Sequence, residues 1–411
     1  MQARSRPVVL LVAEAVTLAH FARVVTLAKA LDASSYEVVV ASDARYADLE
    51  APFGFAFHPI RSIPSDQFER ALARGTPLYD VATLTAYVED DLALIKKVKP
   101  DLIVGDFRLS LAVSAPVAGI PYAAVVNAYW SPYADIVYPV PDLPMTRVLG
   151  LSLAQRLFDV ARPIAFTLHA RPLNTVRRRY HLPPLGHDLR TVYTWGDYTL
   201  YADVPELVPM RPLPANHRHL GSPLWSARKP LPDWWGRIPA DNPVVLVTLG
   251  SSGRADLLPM ALSVLSELPI TVLAVTAGKI DLGNVPATAF VADYLPLESA
   301  VRRAALVICN GGSLTSYQAL DAGVPVLGVC SNMDQLLNMS AIERLGAGLS
   351  LRAARVRPAQ LREAVRKLLA APSYTQAAKA AGDRFRQVDA GQRFRAFVSE
   401  ILPTSTLATG R

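Results

Sequence analysis

Residues 305–349 constrain the fold of this chain more than any other stretch. A short apolar strand, Ala305 to Cys309, runs into Asn310-Gly311-Gly312-Ser313, and a helical pattern follows from Leu314 to Leu320. Gly323 and Pro325 stop that helix, a second apolar run spans Val326 to Val329, and the next loop carries Asn332, Asp334 and Gln335 ahead of another helix. Continuously apolar strands alternating with helices belong to a parallel sheet covered on both faces, and such sheets bind ligands in the loops at their carboxyl ends. Gly311 and Gly312 ahead of Ser313 and Thr315 offer backbone N–H groups and the positive end of a helix dipole, a cradle for a phosphate or diphosphate. On the neighbouring loop, Asp334 beside Gln335 supplies acceptors and a donor for hydroxyl groups. The competing reading has Asp334 capping the helix behind it.

The first half has the same grammar. Val8 to Val12 is a buried strand, Phe21 to Leu31 a helix and Tyr36 to Ala41 the next strand, a βαβ unit with His20 at the helix start on the strand's carboxyl side. Histidine titrates near neutrality and serves as a general base when a carboxylate orients it. Asp106, which ends the strand Leu102 to Gly105 on the same rim, is the candidate partner. Two plainer readings stand beside this one: His20 satisfied by backbone, and Asp106 capping a helix that starts near Leu109. The strand Tyr122 to Val126 ends in Asn127-Ala128-Tyr129-Trp130, so Asn127, Tyr129 and Trp130 either line an apolar pocket or pack beneath a loop. Pro-rich residues Tyr138 to Pro144 and an apolar helical pattern from Leu149 to Leu168 complete this half.

From Pro205 to Pro243 nine prolines interrupt any regular period, which reads as a crossing between domains. Beyond it Val244 to Leu249 is a strand, Gly250-Ser251-Ser252-Gly253 a second candidate anion loop, and Leu257 to Leu268 a helix. Strands at Ile270 to Thr276 and Ala289 to Val291 follow, and two terminal helices span Pro358 to Leu369 and Tyr374 to about Ile401. The expected organisation is a first domain over 1–221, a linker over 222–242, a second domain over 243–373, a terminal helix over 374–402 and a disordered tail over 403–411.

Composition excludes several classes. The chain has 411 residues, 51% hydrophobic and 19% charged, which suits two globular α/β domains rather than disorder. A net charge of +7 fits an anionic substrate, a membrane surface, or simply an arginine-rich composition. Arg177-Arg178-Arg179 is too short a basic run to argue for nucleic acid. Cys309 and Cys330 end buried strands without metal-ligand spacing and read as core. The N-terminus imitates a signal peptide, but Glu14 and Arg23 interrupt it, and no apolar run approaches the roughly 18 residues of a membrane span. The expectation is a cytoplasmic protein, with peripheral contact at the inner membrane face left open.

The pattern from residue 310 to 335 resembles the donor-binding signature of the GT-B, family-1-type glycosyltransferases, whose usual form is His-Gly-Gly-x-x-Thr, then Glu-Ala-Leu, Gly-Val-Pro and Asp-Gln. The matching residues are Gly311, Gly312, Thr315, Ala319-Leu320, Gly323-Val324-Pro325 and Asp334-Gln335. Asn310 stands where the family usually has His, and Gln318 where it usually has Glu. Near the N-terminus, His20 followed by Leu27-Ala28-Lys29-Ala30-Leu31 is similar to the family's opening, although its usual preceding Gly is Ala19 and a nearby Pro is missing. Gly250, Ser251 and Ser252 resemble its Gly-Ser loop, and Asp293-Tyr294-Leu295-Pro296-Leu297 its loop beside the nucleotide base.

The resemblance implies two Rossmann-like, doubly wound parallel-sheet domains facing a cleft. It implies inverting transfer from a UDP- or dTDP-sugar to a hydroxyl of a hydrophobic small molecule or lipid, with His20 as base and Asp106 as its partner. Gly250, Ser251, Ser252 and Asn310, Gly311, Gly312, Ser313 and Thr315 would hold the diphosphate; Asp334 and Gln335 the sugar; Gln318, Tyr294 and Leu295 the ribose and base. The terminal helix would return to the first domain. No cofactor or metal is expected, in keeping with the absence of an Asp-x-Asp pair from the sequence. Two alternatives remain: a non-catalytic nucleotide-sugar-binding protein, and a sugar-nucleotide epimerase or hydrolase of the same fold.

Overall fold

The structure, a computed structural model, describes residues 6–249 and 253–403. Gly250, Ser251 and Ser252 of the second anion loop, and the tail from 404, therefore lie outside the described residues. The first lobe contains β1 (Val8–Ala13), α1 (Leu18–Ala30), β2 (Glu37–Ser42), β3 (Ala56–Pro59), α2 (Ser65–Arg74), α3 (Val81–Val98), β4 (Leu102–Asp106), α4 (Leu111–Ala118), β5 (Tyr122–Val126), α5 (Pro144–Arg179), α6 (Leu189–Thr194), β6 (Tyr198–Tyr201) and β7 (His217–His219). Its strands form one parallel sheet in the order β3-β2-β1-β4-β5-β6-β7. The central strand β1 shows why the run reads as apolar throughout. Val9, Leu11 and Ala13 pack on the side of α1, while Val8, Leu10 and Val12 pack on the side of α3.

The second lobe contains β8 (Val244–Thr248), α7 (Leu258–Leu265), β9 (Thr271–Val275), β10 (Ala289–Ala292), α8 (Leu297–Arg303), β11 (Leu306–Cys309), α9 (Ser313–Asp321), β12 (Val326–Cys330), α10 (Met333–Arg344), β13 (Gly348–Arg352) and α11 (Pro358–Ala370). Its parallel order, β10-β9-β8-β11-β12-β13, repeats that of the first. Two doubly wound parallel sheets are what the strand and helix pattern predicts.

Three details differ from the sequence reading. The helix expected from Tyr374 to Ile401 is two, α12 (Pro372–Arg386) and α13 (Ala390–Ile401), because Asp389 caps the second by accepting from Gln392 N–H at 2.9 Å. Helix α5 is longer than the apolar pattern and breaks at Gly150, whose φ is 74°. Strand β7 lies inside the stretch read as irregular crossing; it is three polar residues at a sheet edge and leaves no periodic signal. Helix α13 packs on α1, with Phe394, Phe397 and Val398 joining Val24, Leu27 and Ala28 in the first lobe's core. Among the described residues no helix is long and apolar enough to cross a membrane.

Candidate active site

Each sheet reverses its strand order in the middle, between β1 and β4 and between β8 and β11. The loops leaving β1, β4 and β11, with Thr248 at the end of β8, border one cavity of about 310 Å³ between the lobes. The β1–β4 register pairs Ala13 with Asp106, so Asp106 sits level with the turn into α1, whose first turn carries His20. His20 Nδ1 lies 2.7 Å from Asp106 Oδ1. Arg23 Nη2, which only donates, also lies 2.9 Å from Nδ1 but already donates to Asp106 Oδ1 at 2.8 Å. The shorter contact to the carboxylate, which only accepts, assigns the proton to Nδ1 and leaves Nε2 as the basic nitrogen. The imidazole stacks on Phe107 at 4.9 Å between centroids and 7° between planes. Phe107 has a φ of 58°, a left-handed conformation that bulky residues seldom adopt away from functional sites.

Arg23, one helical turn beyond His20, fixes the carboxylate from the other side. Its Nε donates to Asp106 Oδ2 at 2.6 Å and its Nη2 to Oδ1 at 2.8 Å, while Nη1 donates to Asn127 Oδ1 at 2.6 Å. Burial opposes the charge on Asp106, but Arg23 and His20 outweigh it and hold the carboxyl below its ordinary value. Asn127 Nδ2 donates onward to Asp203 Oδ1 at 2.9 Å, and Asp203 also accepts from Ala128 N–H and from the Tyr317 hydroxyl. Tyr317 belongs to α9, so a continuous line of polar contacts runs from His20 to the second lobe.

On the opposite wall, Gly312 is the N-cap of α9, and Asn310, Gly312, Ser313 and Thr315 line the cavity. Gly311 has a φ of 82°, and a Cβ there would meet Cys330 Sγ at 2.7 Å and Met339 Cγ at 2.8 Å. The tight turn that presents the helix start therefore requires glycine. Asn310 Oδ1 accepts from Gly312 N–H at 3.0 Å. At α10 the cap is Asn332, which accepts from Gln335 N–H at 3.0 Å, so Asp334 is not needed for that role. Asp334 Oδ1 instead accepts from Trp130 Nε1 at 2.8 Å, closing the cleft across the two lobes. Beyond Trp130 the first lobe's share of the cavity is mostly apolar, walled by Phe68, Phe107, Phe158, Phe166, Leu189 and Tyr193, with Thr76 and His169 among them. Among the described residues no three His, Cys, Asp or Glu side chains gather as a metal site.

The family described as Erythromycin biosynthesis protein CIII-like, C-terminal domain, matches residues 258–387. Over 377 residues, 92% of this chain and 84% of the relative, the sequence is 52% identical to the PGL/p-HBAD biosynthesis rhamnosyltransferase of Mycobacterium bovis (strain BCG / Pasteur 1173P2). The chain belongs to the GT-B, family-1-type glycosyltransferases. It is also 50% identical over 377 residues, 92% of this chain and 88% of the relative, to the PGL/p-HBAD biosynthesis glycosyltransferase of Mycobacterium tuberculosis (strain ATCC 25177 / H37Ra). Among solved structures, Spinosyn Forosaminyltransferase SpnP superposes with a TM-score of 0.70 at 20% identity, covering 97% of this chain and 99% of that one. Spinosyn Rhamnosyltransferase SpnG complexed with thymidine diphosphate gives 0.67 at 18%, covering 95% and 99%. At these identities the structures establish a shared GT-B fold.

Within this glycosyltransferase, His20, Asp106, Asn127, Trp130, Tyr294, Leu295, Asn310, Gly312, Ser313, Thr315, Asp334 and Gln335 all border the cleft. Tyr129 does not; it is fully buried beneath the loop, so the core-packing reading is the correct one for it. Asn127 is held on both sides of its amide by Arg23 and Asp203, which makes it a link in the base's support rather than a freely exposed contact for an acceptor. Gln318 is absent from the cavity wall; its Nε2 donates to the Trp225 carbonyl, and its buried Oε1 has no hydrogen-bond partner. Gln335 Oε1 accepts from Ser331 N–H at 2.7 Å, and its Nε2 is buried without a partner. Sequence reasoning missed Arg23, Asp203 and Tyr317. Arg23 alone left a signal, a charged residue three positions after His20 on a helix face otherwise buried.

Proposed function

We propose that this glycosyltransferase inverts the configuration of a sugar carried on UDP or dTDP while transferring it, without a metal ion, to a hydroxyl of a hydrophobic small molecule or lipid. The observation that carries the reading is the His20–Asp106 pair facing the α9 N-terminus across one cavity whose remaining first-lobe wall is mostly apolar. His20 Nε2 takes the acceptor proton as the hydroxyl oxygen attacks the anomeric carbon from the face opposite the diphosphate. Asp106 holds the Nδ1–H tautomer and stabilises the imidazolium that forms. Charge developing on the departing diphosphate meets the backbone N–H of Ser313 at the helix start and the dipole of α9. Asp334 and Gln335 hold the sugar hydroxyls, with Trp130 orienting the carboxylate. Tyr294 and Leu295 flank the nucleotide base, and Gly250, Ser251 and Ser252 complete the diphosphate cradle.

The rhamnosyltransferase name of the 52%-identical relative supports a deoxyhexose as the sugar. The thymidine diphosphate held by Spinosyn Rhamnosyltransferase SpnG supports dTDP over UDP, whereas Gln318, outside the cavity wall and bonded to the Trp225 carbonyl, supplies no ribose contact that would decide it. The test is nucleoside diphosphate release from UDP- and dTDP-sugars, with and without a pool of phenolic and lipid alcohols, in the presence of a chelator and beside His20→Ala. Acceptor-dependent release that survives the chelator and disappears in the variant is the expected result. A strong UDP preference would sink the dTDP assignment alone. Asn310 carries no charge and turns its carbonyl oxygen onto Gly312 N–H, which favours as second reading a protein that binds the donor without turning it over. Donor binding with no release under any condition would favour that reading, and release without acceptor a hydrolase or epimerase.

A further inference from the structure

Helix α5 has two apolar faces, and only one of them is used by the fold. Phe158, Ala165 and Phe166 point into the cavity. On the opposite side Leu153, Leu157, Val160, Ile164 and Leu168 are exposed, Val160 by 79% and Ile164 by 67%. At 3.6 residues per turn these five positions fall within about 80° of one another and extend for about 22 Å along the helix. Of the twelve large apolar side chains exposed among the described residues, nine lie between Val137 and Leu168. Scattered apolar exposure is ordinary, whereas concentration on a single stripe marks a surface that something covers.

We propose that this face of α5 docks the enzyme on an anionic lipid bilayer, with the helix lying in the plane of the interface. Three observations select that occupant. The stripe continues at its C-terminal end into Arg171 and Arg178, and Arg156 flanks it; all three are exposed. Asp159 is the one acidic residue of α5, and it sits off the stripe. Together with a net charge of +7, this combination of apolar and cationic residues complements acyl chains beneath negative headgroups. A second copy of the chain fits poorly, because an antiparallel two-fold contact along α5 would set Arg171 and Arg178 against the apolar N-terminal end of the other helix, with no acidic partner there. No described helix can span a bilayer, so contact is with its surface. The same helix walls the apolar half of the cavity, which places the acceptor chamber one helix thickness from the lipid.

The test is sedimentation of the full chain with phosphatidylcholine vesicles, with and without phosphatidylglycerol, in the absence of donor, so that it stands apart from any failure of glycosyl transfer. The wild type is expected to bind the anionic vesicles, more weakly as salt rises. Val160→Glu with Ile164→Glu should weaken binding by about tenfold or more, with melting temperature and donor binding unchanged. Arg171→Glu with Arg178→Glu should abolish the preference for anionic lipid. Wild type that stays in the supernatant, or vesicle binding that the Val160/Ile164 variant retains in full, would overturn the proposal. So would a wild-type dimer that the same variant dissolves, which would assign the face to a second copy.

Discussion

Replacing Asp106 by Asn removes one charge and keeps the shape, and the local geometry fixes what must follow. The carboxylate accepts three hydrogen bonds, from His20 Nδ1 at 2.7 Å and from Arg23 Nε and Nη2 at 2.6 and 2.8 Å. An amide has one acceptor oxygen and one donating nitrogen. If the oxygen serves Arg23, the amide N–H₂ faces His20 Nδ1 and selects the tautomer in which Nε2 carries the proton and cannot act as base. If the oxygen serves His20, the amide nitrogen opposes the guanidinium donors, and a buried cation loses its counter-charge. The first outcome costs roughly 10³- to 10⁴-fold in kcat, or about 4 to 5 kcal/mol on the barrier. The second costs about 3 to 5 kcal/mol of stability, which lowers the melting temperature of a lobe of this size by roughly 6 to 15 °C. Donor turnover with a competent acceptor, measured beside a thermal melt, separates the two. Donor KM should change little, since the Asp106 carboxylate bonds His20 and Arg23 of the first lobe rather than a donor-loop residue. A folded variant with kcat within about threefold of wild type would refute the assignment of His20 and Asp106 as a working pair.

The same variant carries a pH signature. The Asp106 carboxyl is held below its ordinary value of 3.8, so its contribution to stability is full above that value and fades as the pH falls through the lower, folded one. The gap in unfolding free energy between wild type and Asp106→Asn should therefore be constant near neutrality and close in acid; a gap that widens in acid contradicts the ion pair. Trp130→Phe removes the indole N–H that Asp334 accepts, and donor KM should rise about tenfold with little change in kcat, measured by steady-state kinetics. Gly311→Ala combines a left-handed φ with a Cβ pressed against Cys330 and Met339, and calorimetry should register a loss of roughly 2 to 4 kcal/mol together with weaker diphosphate binding. Tyr317→Phe breaks the contact from α9 to Asp203, and an unchanged rate with unchanged donor affinity would show that the polar line between the lobes has no functional role.

Much of this molecule is legible in its sequence because the decisive interactions are local. The apolar runs at Val8 to Val12 and Val244 to Leu249 announce strands buried on both faces, and the glycines at 311 and 312 announce a turn into a helix. Those signals depend on backbone geometry and hydrophobic periodicity, which neighbouring residues set by themselves. The edge strands β3 and β7 were hidden for the complementary reason: short strands with one partner and few buried side chains owe their conformation to the sheet beside them. The break between α12 and α13 was equally silent, since a single capping aspartate outweighs helical periodicity on either side of it.

The sequence by itself determined the repeated strand–loop–helix grammar, the two rims on which ligands gather, and the identity of His20, Asp106, Asp334 and Gln335 as residues on those rims. Only the tertiary structure decided how they are used. Arg23 and Asp106 are separated by 83 positions, Trp130 and Asp334 by 204, and Tyr317 and Asp203 by 114. No periodicity links residues at such separations; burial in a shared low-dielectric cleft does, because a polar or charged group taken out of water must find its partner there. The same reason explains the apolar stripe of α5. A sequence reports that a helix carries more apolar residues than one buried face needs, but only packing reveals which face the fold has left uncovered.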